Sequence, residues 1–211
     1  MATAHLSEPD NQTKDKAYSI FSLVQKAREG NSNAFNELVD LYHKEIFRMV
    51  YYRVRSQADA EDLTQDIFFQ AFKNISGLKT IEYFKSWLYR IAINRVRDFY
   101  RKKRFSSLIG IFSENEEIDE NEVGISANGD SDPMQNIIRN EFWNKFESAV
   151  KCLSRMEKEV FMLRFVDCLG IKEISIAISK NESTVKTHLY RALGKLKKNA
   201  ALKRFFNEEY K

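Results

Sequence analysis

Trp87, Arg90, Asn94, Arg97, Arg101 and Arg104 follow one another at steps of three and four, which sets them in one line along a helix. Between residues 90 and 104 there are seven basic side chains and a single acid, Asp98. A row of guanidinium groups matches the geometry of successive phosphates, and an aromatic and an amide at its N-terminal end suit stacking on bases or reading them. The competing reading is a basic surface helix whose long side chains snorkel, with Trp87 simply buried. A second basic concentration lies at 180–204, with eight basic residues and one acid. There Ser183, Thr184, Lys186, Thr187, Tyr190 and Arg191 face outward near a helix N-terminus, while Val185, Leu189, Ala192 and Leu196 face inward. A short helix around Ile171, Ile174 and Ile178 and the polar turn Ser179-Lys180-Asn181-Glu182 precede it, so the pattern is helix-turn-helix, whose second helix meets base edges.

A third group has a different chemistry. Asp62, Gln65, Asp66 and Phe69 share one helix face, opposite Leu63, Ile67 and Ala71. Acidic, amide and aromatic groups do not attract DNA, but they suit a protein partner with a basic or apolar surface.

The elements that must position these groups are helices. In 17–29 the residues Ile20, Phe21, Val24 and Ala27 fall on one face, and in 32–55 Phe35, Leu38, Tyr42, Ile46, Met49 and Val50 keep the helical rhythm. In 57–75 Ala60, Leu63, Ile67, Ala71 and Ile75 do the same after the capping-box-like start Ser56-Gln57-Ala58-Asp59. Near 83–104 the buried stripe is Phe84, Leu88, Ala92, Val96 and Phe99. Farther on, 136–152 is amphipathic through Ile138, Phe142, Phe146, Ala149 and Leu153, and Ser154-Arg155-Met156-Glu157 is a capping box opening a helix with Val160, Phe161 and Leu163. No segment shows clean period-two alternation, so the expected fold is all-α.

Between the two blocks, residues 106–135 carry eight carboxylates and no Lys or Arg. Gly110, Gly124, Gly129 and Pro133 break any helical pattern there, which reads as a self-repelling, extended tether. Without it the chain holds 34 basic against 22 acidic residues, a basic body facing a polyanion with an acidic connector. The expected organisation is a disordered tail over 1–16, a helical domain over 17–105, the linker 106–135, a helix-turn-helix domain over 136–205 and a tail over 206–211.

Composition closes off several function classes. The 211 residues include only 7 Gly and 2 Pro, far too few for collagen, glycine-rich linkers or many-turned β folds. No apolar run approaches the ~18–20 residues that span a bilayer, and the N-terminus has no signal-peptide core. The chain lacks GxxxxGK[ST], GxGxxG and HExxH, so an enzyme is not expected. His5, His43 and His188 are isolated, which speaks against a metal cluster, and no cofactor is expected; His43 reads as a helix-surface residue and His188 as a neighbour of DNA. Cys152 and Cys168 read as small core residues.

Taken together, Asp59-Ala60-Glu61-Asp62-Leu63-Thr64-Gln65-Asp66-Ile67-Phe68, Trp87-Leu88-Tyr89-Arg90-Ile91-Ala92-Ile93-Asn94 and Glu182-Ser183-Thr184-Val185-Lys186-Thr187-His188-Leu189-Tyr190-Arg191-Ala192-Leu193 resemble the extracytoplasmic-function class of bacterial RNA polymerase sigma factors. The resemblance runs over about 20–205, in the family's order. It implies two helical domains, one for the minus-ten and one for the minus-thirty-five promoter element. It implies that Asp62, Gln65, Asp66 and Phe69 dock on the clamp helices of the polymerase β′ subunit, and that the second domain also sits on the β flap. Trp87, Arg90, Asn94, Arg97, Arg101 and Arg104 would hold the minus-ten element, and the loop Gly77, Leu78, Lys79 and Thr80 would capture a flipped base, although it lacks the family's Phe-basic-Gly run. Ser183, Thr184, Lys186, Thr187, Tyr190 and Arg191 would read the minus-thirty-five element. Core polymerase, promoter DNA and an anti-sigma factor, cytoplasmic or membrane-bound, are the implied partners, and the cytoplasm the implied location. The alternative is a stand-alone helix-turn-helix regulator whose N-terminal block senses a ligand or dimerises.

Overall fold

The fold is that of a computed structural model, which describes the backbone of residues 11–109, 146 and 148–198 and the side chains of 19–104, 146 and 148–198. Four helices make the first bundle: α1 (Asn11–Arg28), α2 (Ser32–Val54), α3 (Gln57–Asn74) and α4 (Phe84–Ile109). Two single 3₁₀ turns, Ile75–Gly77 and Ile81–Tyr83, join α3 to α4. The second bundle holds α5 (Arg155–Phe165), α6 (Ile171–Ala177) and α7 (Glu182–Lys198). No strand occurs among the described residues, in line with the all-α expectation.

Local signals set most helix ends. The Ser56 hydroxyl accepts from the Asp59 amide at 3.3 Å, and Asn31 caps α2 by accepting from the Ala34 amide at 3.0 Å. At α5 the capping box is complete: Ser154 Oγ accepts from the Glu157 amide, and Glu157 Oε2 accepts from the Ser154 amide at 2.8 Å. Gly30, at φ 93°, makes the sharp turn between α1 and α2 that a side chain would strain.

Two boundaries differ from the sequence reading. Helix α1 starts at Asn11, so residues 11–16 of the expected tail are helical; nothing between Pro9 and Gly30 interrupts propagation, which adds a hydrogen bond for each residue fixed. Helix α4 continues to Ile109 instead of stopping at 105, because the first breaker in its path is Gly110. The rest of the acidic linker, most of the amphipathic stretch at 136–152, and residues 1–10 and 199–211 lie outside the described residues. Of that stretch, 146 and 148–150 are helical.

The apolar stripes meet as their periodicity requires. Phe35, Leu38, Tyr42, Ile46, Met49 and Val50 of α2 are buried against Ala60, Ile67 and Ala71 of α3 and Phe84, Leu88, Ala92 and Val96 of α4. Phe21, expected on the inner face of α1, is exposed, since Val24 and Ala27 take the inward positions. Both cysteines are exposed as well, contrary to the core reading. Cys168 occupies a left-handed turn at φ 57° between Asp167 and Leu169, and it is those two neighbours that point inward and are buried.

The two bundles are packed together. Helix α6 lies on α4, and one continuous apolar core runs from α1–α4 into Val160, Leu163, Leu169, Ile174, Ala177, Ile178 and Val185. A small satellite of Val150, Leu153, Ala192 and Leu196 ties α7 to the start of the second bundle.

Candidate nucleic-acid interface

Helix α4 presents the basic row at the edge of an open groove. The groove is lined by Gln70 and Asn74 from α3, by Gly77, and by Trp87, Arg90, Ile91, Asn94, Arg95 and the single acid Asp98 from α4. Trp87 is only 8% exposed, its ring 5.9 Å from that of Phe84, yet it forms part of the groove wall. Trp87 thus has a buried body and an edge presented to the groove. Arg90 and Arg97 are half-buried, whereas Asn94, Arg101 and Arg104 are exposed.

Across the groove Arg95 donates to Gln70 Oε1 at 3.1 Å, and within α3 Asn74 donates to the Gln70 carbonyl at 2.7 Å. Sequence reasoning missed these residues, because Arg95 meets Gln70 only once α3 and α4 are packed. Of the expected base-capturing loop, Gly77, Lys79 and Thr80 are at the surface. Leu78 is not: its side chain is buried in the core and its amide closes the 3₁₀ turn onto the Ile75 carbonyl at 3.0 Å. An apolar side chain at the end of that turn gains more from the core than from water, so Leu78 anchors the loop and is not a contact.

The helix-turn-helix is formed by α6 and α7. Asn181 caps α7, accepting from the Thr184 amide at 2.8 Å and from the Ser183 hydroxyl at 2.9 Å. Val185, Ala192 and Leu196 are buried, which leaves Ser183, Lys186, Thr187, Tyr190 and Arg191 exposed, Tyr190 by 71%. Thr184 is half-buried, and the Thr187 hydroxyl donates back to the Ser183 carbonyl at 2.9 Å. His188 is half-buried, with its Nδ1 buried and without a hydrogen-bond partner.

On α3, Asp62, Gln65, Asp66 and Phe69 are all exposed. Phe69 is 57% exposed, and Lys73 Nζ sits 4.1 Å from its ring centroid. Asp59, Leu63 and Phe99 border the same shallow surface. An exposed aromatic among carboxylates has no role in the core.

A helical bundle with a basic groove and a separate acidic-aromatic face, followed by a helix-turn-helix, defines a two-part DNA-binding protein. Comparison with known proteins makes this specific. The Sigma-70 region 2 family matches residues 38–106, and Sigma-70, region 4 matches residues 143–196. The chain is 33% identical over 178 residues to the ECF RNA polymerase sigma factor BldN of Streptomyces coelicolor, covering 82% of this chain and 63% of BldN. It is 28% identical over 175 residues to the ECF RNA polymerase sigma factor SigW of Bacillus subtilis, covering 83% of this chain and 93% of SigW. The solved structure of the sigma factor RpoE in complex with the anti-sigma factor NepR from Bartonella quintana shares the fold, with a TM-score of 0.56 at 21% identity over 80% of this chain and 96% of that one. The chain belongs to the ECF class of RNA polymerase sigma factors, the proteins that direct promoter-specific initiation of transcription. The stand-alone regulator is not favoured.

Proposed function

We propose that this sigma factor divides its work among the surfaces described above. The α3 face of Asp62, Gln65, Asp66 and Phe69 docks on the clamp helices of the polymerase β′ subunit, and the second bundle on the β flap. The groove of Trp87, Arg90 and Asn94, continued by Arg97, Arg101 and Arg104, holds the minus-ten element, with Gly77, Lys79 and Thr80 beside an unstacked base. The cost of unstacking, about a few kcal/mol, is offset by contacts in the groove and by the polymerase's hold on the duplex. Ser183, Thr184, Lys186, Thr187, Tyr190 and Arg191 read the minus-thirty-five element.

The observation that carries this reading is the exposed Phe69 among carboxylates on the same bundle as the basic groove: one bundle has two surfaces of opposite charge, for two partners. The protein makes no covalent change of its own. An anti-sigma factor is the further partner, supported by the shared fold with RpoE, which is solved in complex with one. No described helix is long and apolar enough to cross a membrane, and action in the cytoplasm follows from the polymerase partner.

The test is transcription in vitro with purified core polymerase. Promoter-specific start sites are expected only when this chain is added. Asp66→Arg with Phe69→Ala should abolish co-purification with core while leaving helicity unchanged, since both side chains are exposed. Wild-type co-purification of that double variant would remove the docking assignment.

A further inference from the structure

The basic groove has walls from two helices, and the α3 wall carries two side-chain amides, Gln70 and Asn74. They stand one helical turn apart, on one face. Each is held by a partner that can engage only one end of an amide. Arg95 of α4 donates through Nη2 to Gln70 Oε1 at 3.1 Å. A guanidinium has no acceptor, so the Gln70 oxygen must face it and Nε2 is turned the other way. Asn74 donates through Nδ2 to the Gln70 main-chain carbonyl at 2.7 Å. A carbonyl has no donor, so the Asn74 nitrogen is committed and its Oδ1 is left over. Neither Gln70 Nε2 nor Asn74 Oδ1 has a hydrogen-bond partner among the described residues.

A staple between α3 and α4 does not need an amide. A carboxylate at position 70 would hold Arg95 more firmly, with both partners charged. What the amide adds is a donor. With the Asn74 side chain folded back onto the Gln70 carbonyl, the wall offers one donor next to one acceptor, in orientations that Arg95 and the α3 backbone fix. The acid that borders the groove, Asp98, is paired with Arg101 at 3.0 Å.

The four bases differ in what they set against such a pair. On its major-groove edge adenine carries an acceptor, N7, beside a donor, the N6 amino group, and so satisfies both amides. Guanine carries two acceptors, N7 and O6, and would leave the Asn74 oxygen facing an oxygen. Cytosine offers only its N4 donor, and thymine only its O4 acceptor beside a methyl group. Three of the four bases therefore leave one of the two amides unmatched.

We infer that Gln70 and Asn74 are specificity-determining residues that select an adenine in the minus-ten element, with Arg95 the positioning residue that fixes the Gln70 amide; this rests on the minus-ten reading of the groove and adds its base preference. The adenine can lie on either strand, so what is selected is one A·T pair in one orientation. Trp87, Arg90 and Asn94 on α4 hold the element, and the α3 wall reads one position of it.

The experiment uses holoenzyme assembled from core polymerase and the full-length chain on a promoter library randomised across the minus-ten element, with transcripts counted by sequencing and thermal melts as the folding control. Gln70→Glu keeps the oxygen that Arg95 holds and removes only the donor. Asn74→Ala removes the acceptor from an exposed position, and Asn94→Ala serves as the control on the α4 wall. The wild type is expected to prefer adenine at one position by about 5-fold to 150-fold, the range of one good bidentate base contact. Gln70→Glu and Asn74→Ala should each cut that preference to about twofold or less, with the other positions unchanged and no lower melting temperature for Gln70→Glu. Arg95→Ala should relax the same position and Arg95→Lys restore part of the preference, a change confined to one base pair that loss of packing does not produce. If folded Gln70→Glu and Asn74→Ala keep the wild-type preference while Asn94→Ala loses transcript, the groove holds the element but these amides do not read it, and the inference is overturned. A wild-type preference for another base at the position where these variants act would overturn it too. If Asn94→Ala and the α3 variants all transcribe like the wild type, the groove is not the minus-ten site and both readings fall. No promoter-specific transcript with the wild type would remove the sigma-factor reading and the base preference with it.

Discussion

At the scale of single residues, availability separates the basic side chains more than charge does. Arg101 is 78% exposed and pairs with Asp98, itself 43% exposed, at 3.0 Å. A pair in such contact with water is worth about 0–1 kcal/mol, so giving up that partner would cost the guanidinium little. Arg95 is different: it is half-buried and bonded to Gln70, and so helps to shape the groove. Arg97→Ala combined with Arg101→Ala should therefore flatten the salt dependence of promoter-complex formation. Each lost phosphate contact removes about 0.9 from the slope of log K against log salt. A filter-binding series from low to moderate salt measures it, and an unchanged slope would take these two arginines off the DNA. Lys186 and Arg191 on α7 differ in the same spirit, one a flexible point charge and the other a planar fork that suits a fixed register.

At the scale of elements, helix α7 depends on a contact made behind it. Lys195 of α7 lies 2.6 Å from Glu157 Oε2, the carboxylate that also caps α5. The hydrogen bond from Lys195 lowers the Glu157 pKa below its ordinary 4.5, with the Ser154 amide adding to the effect. Because the folded state prefers the ionised acid, this contribution is present in full above pH 4.5 and is lost as pH falls through the lowered folded value. Glu157→Gln should thus melt at a lower temperature than the wild type near neutrality, and the gap should close in acid, below pH 4.5. Thermal melts by circular dichroism across that range would show it; a gap independent of pH would mean that packing alone, and not the charge, makes the contact. The capping box at α5 and the Asn181 cap of α7 are local devices that fix where each helix begins, and so they orient α7 with respect to α5.

At the scale of the whole molecule, the continuous core couples two bundles that are far apart in sequence. Ile174 of α6 is fully buried and belongs to the same apolar cluster as Leu88 of α4. Ile174→Ala should cost about 2–5 kcal/mol, the usual range for truncating a buried aliphatic side chain. Since α6 is the element that packs on α4, the loss should fall on the coupling as well as on the second bundle. Calorimetry of the wild type is expected to give one unfolding transition, and that of Ile174→Ala two, with the second bundle melting first. A single shifted transition would mean that the bundles remain coupled without this contact.

The sequence by itself determined the helices, their inward faces and the chemistry of their outward ones. Helical periodicity and caps are local, so the stripe from Phe35 to Val50, the capping box at Ser154 and the exposed face at Asp62, Gln65, Asp66 and Phe69 could all be read from spacing. The same local signals failed where a residue's neighbours compete for one place. Leu78 went to the core and not to the loop surface, and Cys168 turned outward because Asp167 and Leu169 turned in. What only the tertiary structure decided is everything that joins distant segments. The Gln70–Arg95 contact joins two helices across 25 positions, and Arg53 meets Glu159 and Asp167 across 106 and 114. No periodicity carries information over such distances. Those pairs exist because complementary apolar faces first bring the helices together, and burial then makes each charge require a partner.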